Sequence, residues 1–231
     1  SAGERQTGEF LALDAPDRTR RKFVEIVAAP EIAVDAVDYL RNNDNLRIVV
    51  LEPSSLPRGT DVKILAGAAL VQSSDVALWD RLEVGSKAQP TETLLGSPAL
   101  ARLVRFGVVA ARQVKSNAIV LVGEKEGALR LLGMGAGQPN RVVSTRLAVE
   151  RARATLESEG LDAAGVRAAL GRAVLVSDAF FPFPDSVETA AAAGVATFVQ
   201  PGGSIRDKDV VACADRLGAV MIVTGTRHFR H

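Results

Sequence analysis

The order of apolar and polar positions changes period along the chain, and each change marks an expected element. Phe23 to Ala28 is apolar and β-prone, which predicts a strand. From Pro30 the spacing turns helical: Ile32, Ala36, Val37 and Leu40 fall on one face, and the Asn-Asn-Asp-Asn run at 42–45 ends the helix. Leu46 to Leu51 is a short apolar run of the kind found in strands buried on both faces. Asp61 to Gln72 alternates around Gly67, which predicts two strands joined by a tight bend. Residues 85–98, with Gly85, Pro90, Gly96 and Pro98, read as a connection between two halves.

The second half is more regular. A helix is expected over 99–112, then a strand over 117–122 that returns through the charged turn 123–127 into a second strand over 128–134. A long helix follows Asn140 and runs to about Glu157, with Val142, Thr145, Val149, Ala152 and Leu156 on one stripe. Strands at 173–177, 196–200 and 219–223 then alternate with helices at 186–193 and 205–216. Alternation at this spacing implies parallel β-α-β units with right-handed crossovers, so the fold class is α/β.

Composition narrows the possible functions. Apolar residues make up 47% of the 231 residues, enough to bury a sizeable core. The 28 basic and 27 acidic residues are interleaved and leave a formal charge of +1, which argues against a nucleic-acid-binding face. An anionic ligand must then be held by a few placed groups. Cys213 is the only cysteine, which excludes a disulfide framework or a Cys-rich zinc site within one chain and fits a reducing compartment. The opening SAGERQTGEF has no apolar segment of signal-peptide type, and no apolar run reaches membrane-spanning length. A soluble cytoplasmic protein is expected, with neither nucleic acid nor membrane as partner.

Four loops carry unusual residues. Ser177 to Asp185 follows an apolar strand and sets Phe180, Phe181 and Phe183 beside two prolines. Such a stiffened loop either presents a ring to a flat ligand or buries three core phenylalanines under a turn. Asp185 and Glu188 fit a capping box for the next helix, with Asp185 as the cap. Gln200-Pro-Gly-Gly-Ser204 again joins a strand to a helix; its N–H groups suit an anion, or Ser204 serves as an ordinary cap. Gly133 to Gly137 lacks the acidic ribose-binding partner of a dinucleotide loop, and leaves a flexible approach to a helix start where Arg141 offers a fork for phosphate, or is simply solvated. The last loop, Thr224 to His231, holds both histidines of the chain, His228 and His231. No nucleophile elbow or metal-ligand spacing accompanies them.

Six stretches, in order, resemble the AICAR transformylase domain of the enzyme family that also carries IMP cyclohydrolase. They are Gln89-Pro-Thr, Val114 to Val120, Gly133 to Gln138 with Arg141, Ser177 to Phe183, Gln200 to Asp207 and Thr224 to His231. A weaker match covers residues 8–72, including Ala12 to Asp17. The resemblance implies cytidine deaminase-like lobes with mixed, largely parallel sheets and flanking helices, here as a first-lobe remnant at 1–88 and a C-terminal lobe at 89–231, without a metal. It implies formyl transfer from the co-substrate 10-formyltetrahydrofolate to the amine of AICAR, in a homodimer whose sites form between subunits.

Carried over by position, Asn117 would orient the carboxamide or amine, and Arg141 and Arg227 would contact substrate, its phosphate first. Phe180 and Phe229 would pack on the imidazole ring, Asp185 would lie on the ligand loop, and Asp17 would be an acidic contact to ribose or ring. The family's Lys-His proton-transfer pair belongs upstream of these stretches, and Pro139-Asn140 replaces its usual small residue and serine before Arg141. The catalytic residue is therefore unassigned, and a partial or split module is expected, with a separate chain carrying the Lys-His segment as a candidate partner. The alternative is a non-catalytic relative that binds a purine nucleotide or folate as a regulatory or scaffold domain.

Overall fold

Three short strands set the architecture: β8 (Val174–Ser177), β9 (Thr197–Gln200) and β10 (Val220–Val223). Nearly every side chain on them is buried, so they need cover on both faces. In the computed structural model, which describes residues 23–51, 59–85 and 96–230, they run parallel at the centre of a six-stranded sheet ordered β5-β10-β9-β8-β6-β7. The edges are antiparallel: β5 (Glu83–Val84) joins β10, and the hairpin β6 (Ile119–Lys125) and β7 (Ala128–Gly135) joins β8.

Period-two alternation splits the interior into two layers. Ile119, Leu121, Leu175, Phe198 and Met221 point to one face, and Val120, Val122, Val176, Val199 and Ile222 to the other. The first face is covered by α3 (Arg141–Ser158), α4 (Ala163–Arg172), α5 (Asp185–Ala193) and α6 (Asp207–Arg216). The second is covered by α2 (Pro98–Gln113), with Leu78 and Trp79 beside it. A fully buried aliphatic or aromatic side chain contributes about 1.5–3 kcal/mol, so these layers outweigh the surface ion pairs.

Contacts divide the chain into two compact units, residues 1–74 and 75–231. The division falls earlier than the expected boundary at 88, because β5 and Asp75 belong to the second unit through β10 and His228. In the first unit, β1 (Ile26–Ala29), α1 (Val34–Leu40) and β2 (Arg47–Val50) form a parallel β-α-β element around Leu40. The strand expected to be buried on both faces is half-exposed instead, since its sheet has only two strands. A hairpin, β3 (Thr60–Leu65) and β4 (Ala68–Ser73), turns at Gly67, whose φ of 76° lies in the left-handed region.

Three expectations need correction. Helix α4 was not anticipated: glycines at 165 and 171 interrupt its apolar pattern, although Asp162 caps it by accepting from the Gly165 N–H at 2.8 Å. Helix α5 starts one residue early, so Asp185 is its first residue and not its cap; Pro184 holds the cap position. Helix α6 starts at Asp207 rather than 205, which removes Ser204 from the cap. No helix among the described residues is long and apolar enough to cross a membrane.

Candidate functional site

The register Ile119↔Ser177 brings the start of β6 to the same end of the sheet as the finish of β8, and the parallel pairs add the ends of β9 and β10. Buried polar groups gather at this end: Ser116, Arg141, Ser144, Ser177, Asp178, Gln200, Thr224 and His228 are all at most 9% exposed. A buried charge is costly unless paired and hydrogen-bonded, so each contact matters.

Arg141 reaches this position because α3 lies directly on β7. A Cβ added at Gly135 would stand 2.0 Å from the Ser144 carbonyl oxygen, and one at Gly133 would stand 2.2 Å from that of Ala148. The glycine run is therefore a packing device within a strand, which corrects its reading as a flexible approach. Asn140 caps the helix, accepting from the Val142 N–H at 2.9 Å. The guanidinium, buried and not solvated, donates through Nη1 to Ser177 Oγ at 2.8 Å and to Asp178 Oδ1, and through Nη2 to Asn117 Oδ1 at 2.7 Å. A guanidinium carries five N–H donors, so this one keeps capacity for a further acceptor.

Asn117 is held just as closely. Its Nδ2 donates to the Gln138 carbonyl at 2.8 Å, and its own carbonyl accepts from Ser144 Oγ at 2.7 Å. The Ser116–Asn117 peptide is cis. Asp178 is fully buried; its Oδ2 accepts from Ser116 Oγ at 2.5 Å and its backbone carbonyl from the His228 N–H at 2.8 Å.

The C-terminal tail is stitched to the same groups. Ser116 exchanges bonds with Arg230, donating its N–H to the Arg230 carbonyl at 2.8 Å and accepting the Arg230 N–H on Oγ at 2.9 Å. Beside these anchors, the exposed Arg227 lies over the Phe229 ring at 5.3 Å from its centroid, and Phe229 is 42% exposed. The His228 ring is buried, with Nδ1 2.9 Å from the Asp75 carboxylate and Nε2 3.1 Å from the Leu78 carbonyl. Both nitrogens face acceptors, so the imidazole holds the tail and offers no open base.

The phenylalanine loop divides its rings between the two expected uses. Phe181 is fully buried and its N–H donates to Gln200 Oε1 at 2.7 Å, whereas Phe180 is half-buried and Phe183 is 51% exposed under Arg206. Asp185 is exposed, and its Oδ1 accepts from the Ser186 N–H. The glycine turn at 202–204 is not an open anion site: the Gly203 and Ser204 N–H groups both donate to Asp207 Oδ2, at 2.7 and 3.1 Å. Asp17, Gln89 and His231 lie outside the described residues.

Two other features stand apart. A hollow of about 710 Å³, lined by Ala164, Arg167, Glu188, Val195 and Leu217 among others, lies at the opposite end of the sheet and touches none of the candidate residues. Cys213 is buried beside Glu188, and desolvation first, then the Glu188 charge, pushes its thiol pKa up. Among the described residues, no group of three or more His, Cys, Asp or Glu side chains lies close enough to hold a metal ion.

Comparison with known proteins supplies the family. The model of the AICARFT/IMPCHase bienzyme matches residues 11–151. The chain belongs to this family. The bifunctional purine biosynthesis protein PurH of Nostoc punctiforme is 41% identical over 233 residues, an alignment that covers 97% of this chain and 40% of that protein. PurH of Mesorhizobium japonicum is 42% identical over 225 residues, covering 96% and 39%, and PurH of Lactobacillus acidophilus 40% over 213 residues, covering 90% and 37%. The chain thus spans about two fifths of the length of these AICARFT/IMPCHase relatives. The family match takes in Asp17, Asn117 and Arg141, and the relatives' alignments extend over nearly all of the rest.

Sequence reasoning missed Ser116, Ser177, Asp178 and Asp75. Asp178 carried a usable signal, because an acid directly after a four-residue strand buried throughout must find a partner. Asp75 carried none, since its partner is His228, far along the chain.

Proposed function

We propose that this chain is the formyl-transfer portion of its bienzyme family, binding AICAR at the end of the sheet where β8 to β10 finish and receiving the formyl group from 10-formyltetrahydrofolate. The observation that carries this reading is the convergence of Asn117 and Arg141 with the anchored tail that exposes Arg227 and Phe229. An exposed arginine suits the nucleotide phosphate, and the accessible parts of the half-buried Phe180 and the exposed Phe229 suit a flat heterocycle. Arg141 is the inner member of the pair: it orients Asn117 and lends its remaining N–H groups to the substrate. On this reading the protein is cytoplasmic, its cytidine deaminase-like lobes complete their sites in a homodimer, Asp185 lies on the ligand loop, and Asp17 keeps the acidic role that the resemblance implies.

The proton-transfer group comes from the Lys-His segment, preceding these residues or on a separate chain. A placed acid or base is worth roughly 10²–10⁴-fold in rate, so this chain alone transfers formyl groups slowly or not at all. The engagement of both His228 nitrogens also favours the second reading, nucleotide binding without catalysis, for the chain by itself.

Calorimetry with AICAR tests the site. The wild-type chain is expected to bind, and Arg227→Ala to weaken binding by about tenfold or more with an unchanged melting temperature, as for a lost charge-assisted contact. No heat at millimolar AICAR, or a variant that melts early yet binds normally, rules the site out. Adding a chain with the Lys-His segment and assaying formyl transfer separates the two readings: activity supports the split enzyme, and inactivity in a verified assembly supports the binding relative.

A further inference from the structure

Asp178 is bonded to three separate parts of the candidate site. Its Oδ1 pairs with the Arg141 guanidinium, its Oδ2 takes the Ser116 hydroxyl proton, and its carbonyl takes the His228 N–H. Ser116 continues the chain of bonds, since its oxygen accepts the Arg230 N–H while its proton goes to Asp178. A hydroxyl can accept and donate at once, so the two directions are compatible and the hydroxyl proton is fixed. The result is a continuous path from the tail backbone, through Ser116 and Asp178, to Arg141 and on to Asn117.

The path and the tail side chains beside it differ in exposure. Arg141 and Asp178 are buried, whereas Arg227 and Phe229 are open and alternate with the anchored residues His228 and Arg230. Residues 227 and 229 are the chain neighbours of 228 and 230, so holding 228 and 230 through their backbone restrains where 227 and 229 project.

We propose that Asp178 is a positioning residue that, with Ser116 as its relay, sets the tail carrying Arg227 and Phe229 in register with Arg141 and Asn117. The tether itself is independent of any ligand; its consequence for AICAR rests on the function proposed above. Breaking a buried ion pair by removing one partner strains the whole fold, so Asp178→Asn is the severe variant and Ser116→Ala the clean one, because it leaves the pair with Arg141 intact.

Two measurements on the full chain test the proposal. The first is amide hydrogen exchange: Ser116→Ala is expected to speed exchange at the His228 and Arg230 amides by about tenfold or more, with the β6 and β8 amides unchanged, and Ser116→Thr to restore protection. Unchanged exchange at both amides overturns the tether, whatever binds. The second is a double-mutant cycle read by AICAR calorimetry. Ser116→Ala is expected to weaken AICAR by about tenfold in the wild type and by less than about twofold when Arg227 is already alanine, because Ser116 acts through the tail. Equal losses in both backgrounds overturn the coupling and leave Ser116 a general packing residue. Accelerated exchange in a chain whose wild type fails to bind AICAR instead sinks the nucleotide reading and retains the tether.

Discussion

The two ends of the six-stranded sheet are built from the same strands and the same two core layers, yet they use polar side chains in opposite ways. Where β8 to β10 finish, Arg141, Asp178, Gln200 and Thr224 are buried and bonded to one another or to backbone. Where those strands begin, Ala173, Val195 and Ala219 close the interior with apolar atoms. The charges of Lys125, Arg130 and Glu159 stay near solvent at the β6–β7 end of the same sheet. A buried ion pair is poor value as a stabiliser, since replacing it by apolar side chains is often neutral or better. Among the described residues the one ion pair with both side chains buried stands at this end, which marks a demand other than stability and agrees with the ligand site proposed above.

The largest test concerns the phenylalanine loop, where core and site meet. Phe181→Ala is expected to cost about 3–5 kcal/mol in urea unfolding, as for a fully buried ring, and Phe183→Ala less than about 0.5 kcal/mol. Comparable losses at the two positions would erase the division between holding and presenting rings. Glycine substitutions compare the ends directly. Gly135→Ala should destabilise by about 1–3 kcal/mol, because its methyl group meets the Ser144 backbone. Gly171→Ala, near the end of α4, meets only the Gly194 carbonyl oxygen at 3.5 Å and should stabilise by about 0.4–1 kcal/mol. The same sign at both sites would count against the close strand–helix approach at the polar end.

A small effect is expected for the ion pairs of the apolar end. A hydrogen bond from Arg130, then one from Lys125, hold the Glu159 carboxyl below its usual pKa of 4.5 against the opposing cost of burial. A lowered folded-state value contributes stability above the unfolded value and loses it as pH falls through the folded one. Glu159→Gln is thus expected to cost only about 0.5 kcal/mol near neutral pH, and the difference from wild type should vanish in the acid range below 4.5. A larger cost, or one that grows on acidification, would make this end electrostatically important after all.

Most of the second unit was legible in the sequence, because its strands are continuous apolar runs and its long helices keep an apolar stripe. The hairpin and the start of α3 at Arg141 followed from residue type alone, although the turn, expected over 123–127, is confined to 126–127 because β6 runs on to Lys125. What escaped was non-local. The burial of a strand depends on how many strands flank it, so the 46–51 run looked like a core strand and stands half-exposed in a two-stranded sheet. The Gly202–Ser204 turn looked like an anion cradle because nothing in its spacing reveals that Asp207 fills it. The resemblance singled out Asn117, Arg141, Arg227 and Phe229 one by one, but the groups that join them, Ser116 and Asp178, became visible only as partners.

The antiparallel edge formed by β5 and β10 closes a loop that spans nearly the whole second unit. Closing so long a loop carries an entropy cost that its two paired residues must offset. Weakening β5 is therefore expected to loosen the mouth of the sheet, where the tail follows β10, before the packed centre.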